Sequence, residues 1–177
     1  MDTSHLYLVV HWTARLSAVL FAAALLAPAL SSLSARRAQT LYLGFIIAHT
    51  LHFSFVAWLA KVTGGENMFP GGRSVGDVGG WPAVLGIFAF FYTLALVGLV
   101  ARRAGPRAGL GLRAAGRFST TFIGFMFVST YVPLIARSQW YALPAALVAA
   151  GVAVDAIAGR IRRCRGAGPS VKASASP

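Results

Sequence analysis

The stretch Leu43-Gly-Phe-Ile-Ile-Ala-His-Thr-Leu-His-Phe-Ser-Phe-Val-Ala-Trp58 contains no Asp, Glu, Lys or Arg. Extended to Leu41 and Ala60, it reaches the roughly 20 residues a helix needs to cross a bilayer. Its period is neither that of a half-buried strand nor that of a surface helix, because apolar residues occupy every face. It reads as a membrane-spanning helix that carries two histidines, His49 and His52. Three residues apart, their rings fall on one helix face. An imidazole in hydrocarbon needs a hydrogen-bond partner or a metal, so this pair is the first candidate for function.

The rest of the chain agrees with a membrane setting. Of 177 residues, 57% are hydrophobic and only 11% charged, whereas soluble domains carry about 25% charged residues. Five apolar segments are long enough to span: Leu6–Leu30, Leu41–Ala60, Trp81–Ala101, Phe118–Ile135 and Tyr141–Ala158. The fold class expected is all-α, a polytopic bundle of about five transmembrane helices over residues 1–160. A basic, disordered tail over 161–177 is expected to follow. The fourth segment is short and ends near Pro133. The fifth carries Ala145, Ala149 and Ala153, small residues that permit close helix approach in lipid. The first is not read as a signal peptide, since no Lys or Arg precedes Arg15 and the apolar run is long.

Charge placement sets the expected orientation. Arg36, Arg37, Arg102, Arg103, Arg107, Arg113, Arg117, Arg160, Arg162, Arg163, Arg165 and Lys172 fall on one side. Lys61, Arg73 and Arg137 fall on the other, and Arg15 lies within the first span. The positive-inside rule then puts the N-terminus outside and the C-terminus in the cytoplasm, as in a bacterial inner membrane. The net charge of +12 is therefore read as a topology signal with attraction to anionic lipid, and not as a nucleic-acid footprint. The lone Cys164 provides no disulfide and no metal-ligand spacing; it is read as a free thiol or an S-acylation site.

Depth relates the histidines to one another. His11 falls about 8 Å below the outer end of the first span and His52 about 12 Å below that of the second, at 1.5 Å per residue. Neighbouring antiparallel helices thus bring them to similar levels, with His49 a turn deeper. Facing imidazoles in a bundle can hold a cofactor, and haem suits histidines that lack carboxylate or thiolate companions. Arg15, one turn after His11, is read either as a partner for a haem propionate or as an arginine reaching headgroups or a backbone carbonyl. The alternative for the histidines is helix packing, with Ser119, Thr120, Thr121, Ser129, Thr130 and Tyr131 of span four as hydrogen-bond partners. His5 is read as solvated.

Three other features invite a reading. Asp155, the only acid in a span, either pairs with an arginine of the basic side or relays protons. Trp12, Trp58, Trp81, Trp140 and Tyr141 read as the aromatic belt. The glycine-rich segment Lys61–Gly80 reads as irregular backbone, either a solvated linker or a docking loop for an external partner.

Several short motifs carry a family resemblance. His11-Trp-Thr-Ala-Arg-Leu-Ser-Ala18, Leu25-Leu-Ala-Pro28, Arg36-Arg37, and Leu41-Tyr-Leu-Gly44 leading to Leu51-His52 resemble the ferric reductase-like transmembrane family. They are similar to haem-bearing membrane subunits of periplasmic methionine sulfoxide reductase systems. The resemblance implies that His52 sits at a haem-ligand position and His11 at the histidine opening the preceding helix. It implies haem b and electron transfer near the outer face. Such a haem could pass electrons to an external redox partner protein and would need a donor, for which a quinol in the bilayer is conceivable. The chain departs from the family in three ways. One span fewer is present, span four has no histidine, and no flavin or nicotinamide domain follows span five. Gly116 and Ser129 stand where span-four ligands would be. At most one haem is therefore expected, on His52 with His11 or His49 or on His52 alone. The competing expectation is a haem-less membrane subunit or scaffold of a larger complex. A small transporter is disfavoured, because the spans offer no charged row to line a path.

Overall fold

A computed structural model describes residues 3–28, 35–66 and 73–166. Five long helices form in chain order: α1 (Thr3–Leu26), α2 (Ala35–Thr63), α3 (Gly80–Ala104), α4 (Leu110–Ile135) and α5 (Ala142–Gly166). Short 3-10 turns at Gly76–Val78, Gly105–Arg107 and Gln139–Tyr141 join them. All five are long and apolar enough to cross a membrane. Even α1, with 24 residues, is about 36 Å long at 1.5 Å per residue, against a hydrocarbon core of about 30 Å. The molecule is an all-helical integral membrane bundle.

The helices extend beyond the expected spans at most ends, because hydropathy marks only the part that sits in hydrocarbon. The fourth shows this most clearly. It begins at Leu110, eight residues before Phe118, so Arg113 and Arg117 are helical and not in a connecting loop. It also runs through Pro133 to Ile135. Only the last turn follows the proline, so the interruption of the ladder coincides with the helix end. Likewise α2 takes in Arg36 and Arg37, and α3 ends on Arg102 and Arg103. Cations at a helix C-terminus are favoured by its dipole. The first helix differs in the other direction and stops at Leu26, short of Leu30. Ala27 makes a final bond to the Ala23 carbonyl (2.9 Å), and Pro28 disfavours helix in the residue before it. The fifth continues past residue 160 to Gly166. The remainder of the expected tail, 167–177, lies outside the described residues.

Packing follows a closed order. The first helix lies between α2 and α5, α4 lies between α3 and α5, and a looser contact of α2 with α3 closes the ring. Aromatic rings fill the centre. Phe45 is 4.9 Å from Phe21, 5.4 Å from Tyr42, and 6.0 Å from both Phe91 and Phe127. Glycines let backbones close around these rings. A Cβ on Gly98 would overlap the Tyr42 hydroxyl, one on Gly124 would overlap Val152, and one on Gly116 would overlap Ala101. The expected alanine seam of α5 is corrected: Ala145 is buried, but Ala149 and Ala153 are exposed. The buried face runs Pro144 and Ala145, Val148, Gly151, because alternating steps of four and three follow one side of a 3.6-residue helix whereas a strict repeat of four drifts off it.

The segment between α2 and α3 is partly folded back. Val75 is buried against Ala60 and Val84, and its N–H donates to the Gly65 carbonyl (2.9 Å). Residues 67–72 lie outside the described residues. Gly79 precedes α3 at φ 94°, a left-handed conformation that favours glycine.

Candidate functional site

The helix order places the N-terminus of α1 beside the C-terminus of α2, and the histidines gather at that end. His52 touches α1 directly. Its Nδ1 lies 3.1 Å from the Val10 carbonyl and 3.3 Å from the Thr13 hydroxyl. A carbonyl only accepts, so Nδ1 carries the proton and Nε2 keeps its lone pair. Val10 and Thr13 flank His11 in sequence, so His11 and His52 do share a level. His11 itself is exposed, and its Nδ1 donates to Tyr7 of its own helix (2.7 Å). Its Nε2 is the acceptor nitrogen for the same reason.

His49 is held differently. It is 7% exposed, and its ring lies 4.2 Å from Phe91, 4.3 Å from Phe53 and 5.4 Å from Phe127. Its Nδ1 is buried without a hydrogen-bond partner among the described residues. The His49 and His52 rings are 5.5 Å apart, on one helix face as their spacing requires. Two more buried atoms at this end lack partners, Arg15 Nε and the Tyr131 hydroxyl. The Arg15 guanidinium lies over Trp12 (5.3 Å) and Tyr141 (4.9 Å). His5 is exposed.

The span-four hydroxyls do not serve the histidines. Ser119 donates across to the Leu94 carbonyl. Thr120 bonds the Gly116 carbonyl (2.9 Å), and Ser129 and Thr130 both bond the Met126 carbonyl (3.0 and 2.8 Å). Thr121 is exposed. Three of these four bonds stay within α4, because a serine or threonine inside a helix finds the carbonyl three or four residues back before any neighbour. The partner of His52 is the backbone of α1 instead.

A haem can be tested against this geometry. The donor chemistry fits at single residues, since Nε2 of His52 and of His11 are both available and an Nδ1–H bonded to a carbonyl is the usual orienting contact of a metal-ligating histidine. The space does not fit a haem held between them. His52 already touches the α1 backbone, so a porphyrin there requires α1 and α2 to part. At Gly116, one of the positions matching a family ligand, Ala101 of α3 occupies the place of any side chain. Ser129, the other, is exposed and bonded within its helix. Among the described residues no three His, Cys, Asp or Glu side chains gather as a metal-holding group.

A second polar cluster lies at the opposite end, where sequence reasoning saw only Asp155. Its carboxylate pairs with Arg102 of α3 (3.7 Å), the simpler of its two expected roles. Arg102 also donates to Thr120 (3.2 Å) and lies over the Tyr42 ring (4.9 Å). Gln39 donates to the Arg102 carbonyl (3.2 Å). Four helices meet here. Counting Arg102 as a loop residue concealed the cluster, although Gln39 and Tyr42, three apart on α2, were a visible hint.

No family model, no curated protein and no solved structure matches the chain. The ferric reductase-like resemblance therefore rests on its short motifs alone.

Proposed function

We propose that the protein is a haem-less membrane subunit or scaffold, built on a ferric reductase-like helix plan and working within a larger complex. The observation that carries this reading is closure at the ligand positions. His52 hydrogen-bonds the α1 backbone at Val10, and the Gly116 position is filled by Ala101. In this reading His52 is a packing group that ties α2 to the α1 backbone, and His49 is a ring packed among Phe53, Phe91 and Phe127. The basic residues at the arginine-rich end support a bacterial inner-membrane orientation with the histidine end outside. That orientation presents the folded-back segment around Val75 to an external partner protein.

A second reading has one observation in its favour. The carbonyl-bonded Nδ1 atoms leave Nε2 of His52 and His11 as acceptors, as an axial haem ligand requires. Haem b on His52 would supply one-electron chemistry near the outer face, with a quinol as donor and an external redox protein as acceptor. Here His52 would hold the iron, and Arg15 would bind a propionate.

Absorption spectra decide between them. The protein is expressed with haem supplementation, purified in mild detergent, and measured oxidised and dithionite-reduced beside His52→Ala. The scaffold reading expects no Soret or α-band in either protein. A reduced α-band that disappears in the variant overturns it and establishes the haem reading.

A further inference from the structure

Arg15 has no counter-charge among the described residues. The only ion pair among the described residues joins Arg102 to Asp155, at the far end of the bundle. Arg15 nevertheless sits mid-way along an apolar helix, half-buried, with Nε enclosed and unpartnered. An arginine at membrane depth is costly unless it is paired or reaches the interface. Its guanidinium rests against Tyr141, the residue immediately before α5. It is thereby carried back to the level at which α5 enters the bundle. Tyr141 was expected in the aromatic belt, but it is only 9% exposed. It forms a floor instead, with the guanidinium on it and Tyr131 stacked 6.0 Å away. Tyr131 is itself 3% exposed and its hydroxyl lacks a partner. Two unpartnered donors thus flank one tyrosine ring. The lipid-facing side is marked by Trp12 and Trp140, which are 60% and 76% exposed. Trp140, in the turn before α5 and next to Tyr141, marks the interface level where exposed tryptophans gather, and Trp12 lies on the lipid face below it.

We infer that Arg15, on its Trp12–Tyr141 platform, binds the phosphate of a membrane phospholipid in the leaflet at the histidine end. A guanidinium offers a planar fork of donors that matches phosphate oxygens two at a time. The two aromatic faces fix its plane before the ligand arrives, which removes part of the ordering cost. A freely snorkelling arginine would need no such platform, and a lysine would replace it without loss. A bound site predicts the opposite.

The test uses the full chain, delipidated in detergent and titrated with dioleoyl phosphatidylglycerol, with occupancy read by native mass spectrometry. One retained lipid is expected on the wild type. Arg15→Gln and Arg15→Lys should each weaken retention about tenfold, the loss of one charge-assisted hydrogen bond. Dioleoylglycerol, which lacks the phosphate, should not be retained. Retention by Arg15→Lys equal to wild type overturns the site, since only charge would then matter. Equal retention by a well-folded Arg15→Gln overturns it as well. Binding of inorganic phosphate that excludes the lipid overturns the lipid assignment in favour of a soluble anion.

Discussion

At Gly98 a single missing Cβ decides how three helices meet. The Tyr42 hydroxyl and the Ser119 hydroxyl both lie where an alanine methyl would go. Neither can retreat freely. Tyr42 is fully buried beside Phe45, and Ser119 is anchored on the Leu94 carbonyl. Gly98→Ala gains roughly 1 kcal/mol of helix propensity but must push apart α2 and α4, a strain of about 1–3 kcal/mol. With two anchored hydroxyls in the way, the strain outweighs the gain in propensity. A net loss of up to about 2 kcal/mol is expected, read as a lower melting temperature in detergent. Gly86→Ala is the control, because nothing lies within 4 Å of its added methyl. It should be neutral or stabilising. Such close approaches leave no mark in the sequence, where Gly86 and Gly98 look alike. The histidine pair was legible because ionisable residues stand out against an apolar span, whereas the platform under Arg15 was not. Nothing local distinguishes a belt tyrosine from Tyr141, which is buried by Tyr131 of another helix.

Between elements, the contact of α3 with α5 turns on Arg102 and Asp155. Both side chains are largely but not fully shielded, at 16% and 19% exposure. Their energy therefore lies between the near-zero value of surface pairs and the several kcal/mol lost when a buried pair is broken. Asp155→Asn is expected to cost about 1–3 kcal/mol, because it leaves the Arg102 charge with only Thr120 and the Tyr42 face. Arg102→Gln should cost at least as much, since it also removes those two contacts. The double variant should fall short of the sum, and full additivity in a double-mutant cycle would show that the pair contributes nothing. The connection before α3 holds a smaller device. The Ser74 N–H and hydroxyl both donate to the Asp77 carboxylate (2.7 and 2.8 Å), and the Asp77 N–H returns to the Ser74 hydroxyl (3.2 Å). The Ser74 N–H above all, then its hydroxyl and the charge of Arg73, hold the Asp77 carboxyl below the usual carboxylate range. A depressed folded-state pKa means the turn is favoured when Asp77 is ionised. Its contribution is full above the ordinary aspartate pKa of about 4 and is lost as pH falls through the lowered value. Protection of the Ser74 amide, its exchange compared with the intrinsic rate at each pH, should fall on acidification in that window, and Asp77→Asn should show no such pH step.

Across the whole molecule, the number of helices was legible and their ends were not. Hydropathy detects the hydrocarbon-embedded turns, and the arginines at the other end of the bundle hid the turns that extend beyond them. Those same arginines are the basis of the proposed orientation. With Arg36, Arg37, Arg102, Arg103, Arg107, Arg113 and Arg117 toward one end of the bundle, most of them within the helices, and only Lys61, Arg73 and Arg137 toward the other, translocating the arginine-rich end is the costlier insertion. The far end would then face the periplasm together with the histidines. Fusions test this directly in a bacterial host. A green fluorescent protein joined after Pro177 should fluoresce, as it does only when it folds in the cytoplasm, and alkaline phosphatase at the same point should be inactive. Alkaline phosphatase joined after Arg137, between α4 and α5, should be active. The reverse pattern would turn the bundle over, placing His11, His49 and His52 at the cytoplasmic side. An external redox partner or docking protein would then have no access to them, and the Arg15 phosphate site would move to the inner leaflet, where anionic headgroups are most abundant.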